Sequence, residues 1–337
     1  MDLLPAAGSR LGRRSFLAGA TGLIAAGLAA CSGGGQGAGP DGPSGPGFPV
    51  SVPNRFGTAE IDRAPERVVS LGITDHDVLL ALGIIPAGLT KWGPWSSGVG
   101  PWAQRRLDGQ RPEVLGTEVN VESIIALAPD VVTAVQSALT QEQYNRLESF
   151  GPVVAQPPES IDYGVDWRVQ AETIGRAVGK RAEAERLIAD TQGKIDRTRR
   201  ESPQLDGKTH VVVRTDSAGT YAAYSKKDAR TVLLEQLGMR LSPSIADLDD
   251  EGKFNVKISK EQVGLLDADV VVVTTAQPTD VEAVRNDELL MNLPAARRGS
   301  LVLLDDYDLT MALGSATVSS IPFVLDRLTP KLVEAAR

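Results

Sequence analysis

Two distant stretches of the chain repeat one pattern of apolar and polar positions. The first runs Asn120-Val121-Glu122-Ser123-Ile124-Ile125-Ala126-Leu127-Ala128-Pro129-Asp130-Val131-Val132, and the second runs Ser259-Lys260-Glu261-Gln262-Val263-Gly264-Leu265-Leu266-Asp267-Ala268-Asp269-Val270-Val271. Each opens on a good N-cap residue, Asn120 or Ser259, and Ser259 with Gln262 fits a capping box. Each then gives two helical turns, a break, and an aspartate leading into a β-branched strand. Upstream of each lies an apolar strand, Val68-Val69-Ser70-Leu71 or Val211-Val212-Val213, followed by a helix ending in Leu82-Gly83 or Leu237-Gly238. Glycine there suits the left-handed position after a helix. The order strand, helix, Leu-Gly, helix, strand thus occurs twice. It predicts an α/β fold of two similar lobes, residues 60–165 and 205–337, with mostly parallel sheets covered by helices and a ligand cleft between the lobes.

Between the lobes, apolar or small residues recur at Val169, Thr173/Ile174, Ala177/Val178, Ala184, Leu187/Ile188, Thr191 and Ile195. This helical period predicts one buried stripe on a single α-helix over residues 166–201. Such a helix spans on the order of 50 Å at 1.5 Å per residue. It is a stiff connection, so the lobes are expected to move little relative to each other.

The ends change the picture from fold to location. Arg13-Arg14-Ser15-Phe16-Leu17 precedes an apolar, small-residue run through Ala30, the pattern of an export signal over residues 1–30 and not of a spanning helix. The paired arginines resemble the twin-arginine signal. Leu28-Ala29-Ala30-Cys31 resembles the bacterial lipobox, and Cys31 is the only cysteine, so an intrachain disulfide is impossible. Residues 31–49 then form a lipidated start and a Gly/Pro-rich tether. The chain has a formal charge of −8; loss of residues 1–30 removes three arginines and one aspartate and leaves 32 basic against 42 acidic residues, or −10. An acidic chain of this kind argues against nucleic acid as a partner.

The stretches PERVVSLGITDHDVLLALGIIPAGL, NVESIIALAPDVV, FGPVVAQPPESIDYGVDW, KISKEQVGLLDADVVVV and SSIPFVLDRLTPKL, in this order behind a lipobox, resemble the helical-backbone substrate-binding proteins of ABC importers. These are the ferric siderophore and vitamin B12 receptors, and the siderophore branch is the better match. The resemblance covers about residues 60–335. It implies a lipid-anchored, extracytoplasmic, monomeric receptor with no catalytic residues and no cofactor. Such a receptor binds a ferric siderophore and delivers it to a permease and its ATPase. It also implies that Glu122 and Glu261 face the permease, and that the Trp-bearing loop and the Asp162–Trp167 stretch line the cleft. The rival reading of either glutamate is a carboxylate favoured by the helix dipole in a first turn.

The candidate ligand residues follow from these placements. Trp92, Trp95 and Trp102 crowd into TKWGPWSSGVGPWAQ, where interleaved Gly and Pro exclude a helix or a central strand. Indoles offer flat apolar faces with an N–H donor, which suits a chelate that already wraps its iron in oxygens; the rival reading is that they cap the lobe's own core. Tyr163 and Trp167 come from the Asp162–Trp167 stretch. Arg214 ends a strand, where α/β sheets present ligand contacts. Lys91, Tyr221, Tyr224 and Tyr307 complete the set, with packing as the alternative for the tyrosines. Two tyrosines with carboxylates could also hold bare Fe³⁺. His76 and His210 are the only histidines, too few for a zinc-type site; Thr74 and Asp77 beside His76 fit a helix cap. Lys91 and Arg214 alone place positive charge near the ligand, which favours a hydroxamate or mixed siderophore over a tris-catecholate. Haem or cobalamin remains an alternative ligand. An exported enzyme or a structural lipoprotein is the alternative of another class, although no Gly-x-Ser-x-Gly, His-Glu-x-x-His or phosphate loop occurs.

Overall fold

The computed structural model describes residues 47–337 apart from 216, 217 and 249–252. The export signal, the lipobox Cys31 and most of the tether lie outside the described residues. The first elements among the described residues are an antiparallel hairpin of β1 (Val50–Asn54) and β2 (Gly57–Ile61). The first lobe follows: β3 (Val68–Ser70), α1 (Asp75–Ala81), β4 (Gly88–Thr90), β5 (Glu113–Leu115), α2 (Val121–Ala126), β6 (Val131–Ala134), α3 (Gln141–Glu148) and β7 (Val153–Ala155). Its five strands lie in the order β5-β4-β3-β6-β7 and every pair is parallel. Short runs such as Val68-Val69-Ser70 and Val153-Val154-Ala155 are buried on both faces, as a helix-covered parallel sheet requires.

The connection is not the single helix that the apolar stripe suggests. It divides into α4 (Trp167–Ala177) and α5 (Arg181–Glu201). Gly179 adopts φ +69°, and the N–H of Lys180 returns to the Gly175 carbonyl at 2.7 Å, closing the end of α4. A Cβ on Gly179 would lie 2.5 Å from the Phe48 ring, so glycine is required here by space as well as by conformation. The helices then pack on each other, with Gly175 against Ala184.

The second lobe comprises β8 (Thr209–Thr215), β9 (Tyr221–Tyr224), α6 (Ala229–Gln236), β10 (Arg240–Leu241), α7 (Pro243–Ala246), β11 (Asn255–Ile258), β12 (Val270–Thr275), α8 (Val281–Arg285), α9 (Glu288–Met291), α10 (Pro294–Arg297), β13 (Leu301–Leu303), α11 (Tyr307–Ser315) and α12 (Ser320–Ala335). Its main path is β11-β9-β8-β12-β13; β12 is parallel to β8 and β13, while β9 runs antiparallel to β8 and β11. Gly83 and Gly238, after the two Leu-Gly helix ends, have φ of +78° and +95°. Asn120 caps α2 by accepting from the Ser123 N–H at 2.9 Å. Ser259 does not build the expected capping box. It precedes a 3₁₀ turn over Lys260–Leu266 and makes no side-chain cap bond there.

One apolar core runs through both lobes. It contains Val68, Val78 and Leu79 of the first lobe, Ala171, Ile174 and Ile195 of the connection, and Val212, Leu233, Ile321 and Leu328 of the second. Val211, Val213, Tyr221, Val271 and Val273 build a separate core on the other face of the second sheet. The lobes are therefore joined by a shared apolar body as well as by α4 and α5.

Candidate functional site

The carboxyl ends of the first sheet's strands open onto a cleft of about 530 Å³. Ile73 follows β3, Lys91 and Trp92 follow β4, Thr117 follows β5, and Gln136 follows β6. Ligands of open α/β sheets collect at such strand ends. Arg214 on β8, Tyr224 on β9, the first turns of α6 and the last turn of α11 form the opposite wall.

Local hydrogen bonds set each side chain. The Gln136 amide donates to the Val165 carbonyl at 3.0 Å and accepts from its N–H at 3.2 Å, which fixes the 163–167 stretch. Tyr163 takes a left-handed φ of +58° and stays 47% exposed. That conformation is strained for a bulky residue and is tolerated where surroundings enforce it. Behind it, the buried Asp75 carboxylate accepts from the N–H groups of Val135 and Gln136 and from Gln170 Nε2 at 2.7–3.1 Å. Burial nevertheless holds its pKa above the usual carboxylate value.

The facing wall is organised by Asp228. It caps α6 through the Arg230 N–H at 2.9 Å and grips the Arg230 guanidinium at 3.0–3.1 Å. Arg230 lies over the Tyr224 ring, 4.1 Å from its centroid. Such a cation–π stack holds the guanidinium plane in place. Gly314 leaves room for it, because a Cβ there would sit 2.3 Å from Arg230 Nη2. The buried Arg230 Nε has no hydrogen-bond partner among the described residues.

Six of the ten residues expected at the ligand line the cleft: Lys91, Trp92, Tyr163, Trp167, Arg214 and Tyr224. Four do not. Tyr221 is 1% exposed and bonds Asp287 at 2.6 Å within the second core. It lies three residues from Tyr224 on a strand, so the two side chains point to opposite faces. Tyr307 opens α11 and donates to the Ala276 carbonyl at 3.2 Å. Trp95 and Trp102 form an edge-to-face pair with centroids 5.1 Å apart, and Trp102 meets Phe323 of α12 at 5.8 Å. Their indoles donate to Asp308 at 2.9 Å and to Asp77 at 2.6 Å. Asp77 is accordingly no helix cap: it is buried and also accepts from Thr317 at 2.8 Å. The interleaved glycines supply space, since a Cβ on Gly93 or Gly100 would lie 2.4 Å from Trp95 or Trp102.

Sequence reasoning missed Arg230, Lys227 and Phe254. Hydrophobic period identifies α6 but not which turn meets a cleft formed with a distant lobe. With them, five aromatic side chains and four cations line the cleft, against the carboxylates of Asp166 and Asp228. A net positive cleft in a chain of charge −8 is a local feature of this site. Among the described residues, no three His, Cys, Asp or Glu side chains assemble as a metal-ligand set.

Outside the cleft, Glu122 and Glu261 each occupy the second position of their helical segment and are exposed. Glu122 pairs with Arg146, whose hydrogen bond holds its pKa below the usual value.

The model of the periplasmic binding protein family matches residues 68–307, which spans both lobes and the cleft. The chain belongs to that family. A probable siderophore-binding lipoprotein of Bacillus subtilis, YfiY, is 28% identical over 82% of this chain and 85% of its own length. A periplasmic solute-binding protein of Mycobacterium smegmatis is 32% identical, with a TM-score of 0.76 over 86% of this chain and 99% of that one. PiaA of Streptococcus pneumoniae, solved in complex with ferrichrome, is 28% identical with a TM-score of 0.73 over 85% of this chain and 98% of that one.

Proposed function

We propose that this chain is an extracytoplasmic receptor of an ABC importer that binds a ferric siderophore in the cleft and hands it to a permease. The observation that carries the reading is the cleft lining. Trp92, Tyr163, Trp167, Tyr224 and Phe254 give flat apolar faces, and Lys91, Arg214, Lys227 and Arg230 give donors for chelate oxygens. Such a lining suits a chelate of neutral or negative charge, held by its ligand shell and not by its iron. The siderophore-binding name of the Bacillus subtilis relative and the ferrichrome bound in the PiaA structure support the same ligand class. The cavity holds a ligand without turning it over, so the intact chelate is recovered after binding. Cys31 carries the lipid that holds the domain at the membrane, and Glu122 and Glu261 contact the permease. Titrating the mature domain with ferric hydroxamate, catecholate and mixed chelates, with haem and cobalamin alongside, tests the reading by quenching of indole emission. Saturable binding of a ferric chelate is expected; binding of haem or cobalamin alone overturns the siderophore assignment.

A further inference from the structure

Trp92 is the only indole of its loop that faces the cleft, yet it belongs to an irregular segment with no strand partner of its own. That segment is fastened to the other lobe. Trp95 Nε1 donates to Asp308 Oδ1 at 2.9 Å, and Trp92 Nε1 donates to Ser315 Oγ at 3.3 Å, so two acceptors lie on α11. Arg106 Nη1 reaches Ser319 Oγ at 3.2 Å just beyond that helix. Asp308 is not needed as the cap of α11, because Asp306 accepts from the Leu309 N–H at 3.2 Å. Its carboxylate is spent on an indole 213 residues away in sequence.

We propose that Asp308 is a positioning residue for ligand binding: by holding Trp95, it clasps the tryptophan loop to α11 and presents Trp92 already ordered in the cleft. A loop fixed before binding has less freedom to lose when the ligand arrives. The Trp92–Ser315 bond is long, and Ser315 Oγ is itself turned to the Met311 carbonyl at 2.9 Å. It cannot hold the loop alone, and the Asp308 clasp is the stronger of the two. The inference rests on the cleft being the ligand site.

The test uses the mature chain labelled with ¹⁵N-tryptophan, in which the four indole N–H groups are followed separately. Asp308→Ala is expected to speed hydrogen exchange at Trp95 and Trp92 at least tenfold and to leave Trp167 unchanged. Asp308→Asn keeps an acceptor and restores most of the protection. Trp95→Phe keeps a ring, removes the donor, and speeds Trp92 as Asp308→Ala does. In parallel, ferric chelates including ferrichrome are titrated, with an affinity loss of threefold or more expected for Asp308→Ala and recovery in Asp308→Asn. Unchanged exchange at Trp92 in Asp308→Ala, or no difference between Ala and Asn, overturns the clasp. A parent chain that binds no ferric chelate instead overturns the cleft reading, and the exchange measurement still decides the clasp.

Discussion

Trp102 Nε1 and Thr317 Oγ1 converge on one oxygen of Asp77, at 2.6 and 2.8 Å. Asp77 belongs to α1 of the first lobe and Thr317 to the turn between α11 and α12 of the second, so a buried carboxylate joins the lobes beside the cleft. Burial raises its pKa; its second oxygen has no hydrogen-bond partner among the described residues and lies 3.7 Å from His76 Nε2. The three tryptophans of one loop therefore divide their tasks: Trp92 faces the cleft, while Trp95 and Trp102 bind the lobes together.

That division predicts opposite outcomes for two substitutions. Trp92→Ala is expected to weaken ferric-chelate binding about tenfold, since 1.4 kcal/mol is a factor of ten and a stacked ring contributes on the order of 0.5–1.5 kcal/mol beyond its area. Its melting temperature stays near the parent's. Trp102→Ala removes an aromatic contact with Phe323 and a donor to buried Asp77, and is expected to cost about 3 kcal/mol of stability. Urea unfolding beside fluorescence titration checks both; equal melting losses in the two variants would contradict the division.

Gly314 offers a sharper test of the opposite wall. Replacing a helical glycine by alanine ordinarily stabilises by about 0.5–1 kcal/mol. Here the new methyl would meet Arg230 Nη2 at 2.3 Å. Gly314→Ala should push the guanidinium off Tyr224 and out of its pair with Asp228, lowering chelate affinity at least tenfold and lowering the melting temperature in place of the usual alanine gain. Unchanged affinity in a folded variant would mean that Arg230 plays no part in binding.

Much of this is legible in the sequence. The Leu-Gly helix ends, the Asn120 cap and the β-branched strands follow from local chemistry, and local chemistry is written in neighbouring residues. The break at Gly179 is hidden, because the apolar stripe from Ile174 to Ala184 continues through it, and the left-handed turn and the approach of Phe48 that require the glycine are set by the fold. Tyr221 and Tyr224 looked alike, though their spacing of three on a strand puts them on opposite faces. Arg230 was invisible for another reason. What makes it a cleft residue is Asp228, Tyr224 and Gly314 together, and Gly314 comes from a helix far along the chain.

The paired glutamates yield a prediction about delivery. Glu122 and Glu261 are exposed, so reversing both to lysine should leave the fold and chelate affinity unchanged. Uptake by vesicles or cells carrying the permease is expected to fall strongly, and the parent's own docking should weaken with added salt because rim charges are screened. Glu122 already holds Arg146. Arg146→Ala should therefore leave docking intact or strengthen it by freeing the carboxylate. Normal uptake in the double reversal at equal protein levels would rule out the proposed permease contact at these residues.

Buried His210 is expected to make the second lobe less stable in acid. It lies within β8, fully buried, and neither ring nitrogen has a hydrogen-bond partner among the described residues. Burial lowers its pKa from 6.5 to about 4. The folded state thus binds the proton less readily than the unfolded chain. Its contribution is fully present above the unfolded value and is lost as pH falls from about 6.5 toward 4. At 1.36 kcal/mol per unit, the loss amounts to about 2–3 kcal/mol between pH 7.5 and 4.5. The raised carboxyls of Asp75 and Asp77 act in the opposite sense, gaining relative stability in acid. A difference between parent and His210→Leu cancels them, since both proteins carry the same carboxyls. Urea unfolding at the two pH values should show the parent losing about 2–3 kcal/mol more than the variant. Equal losses would show that His210 accepts its proton inside the folded lobe, and that the strand around it opens to water.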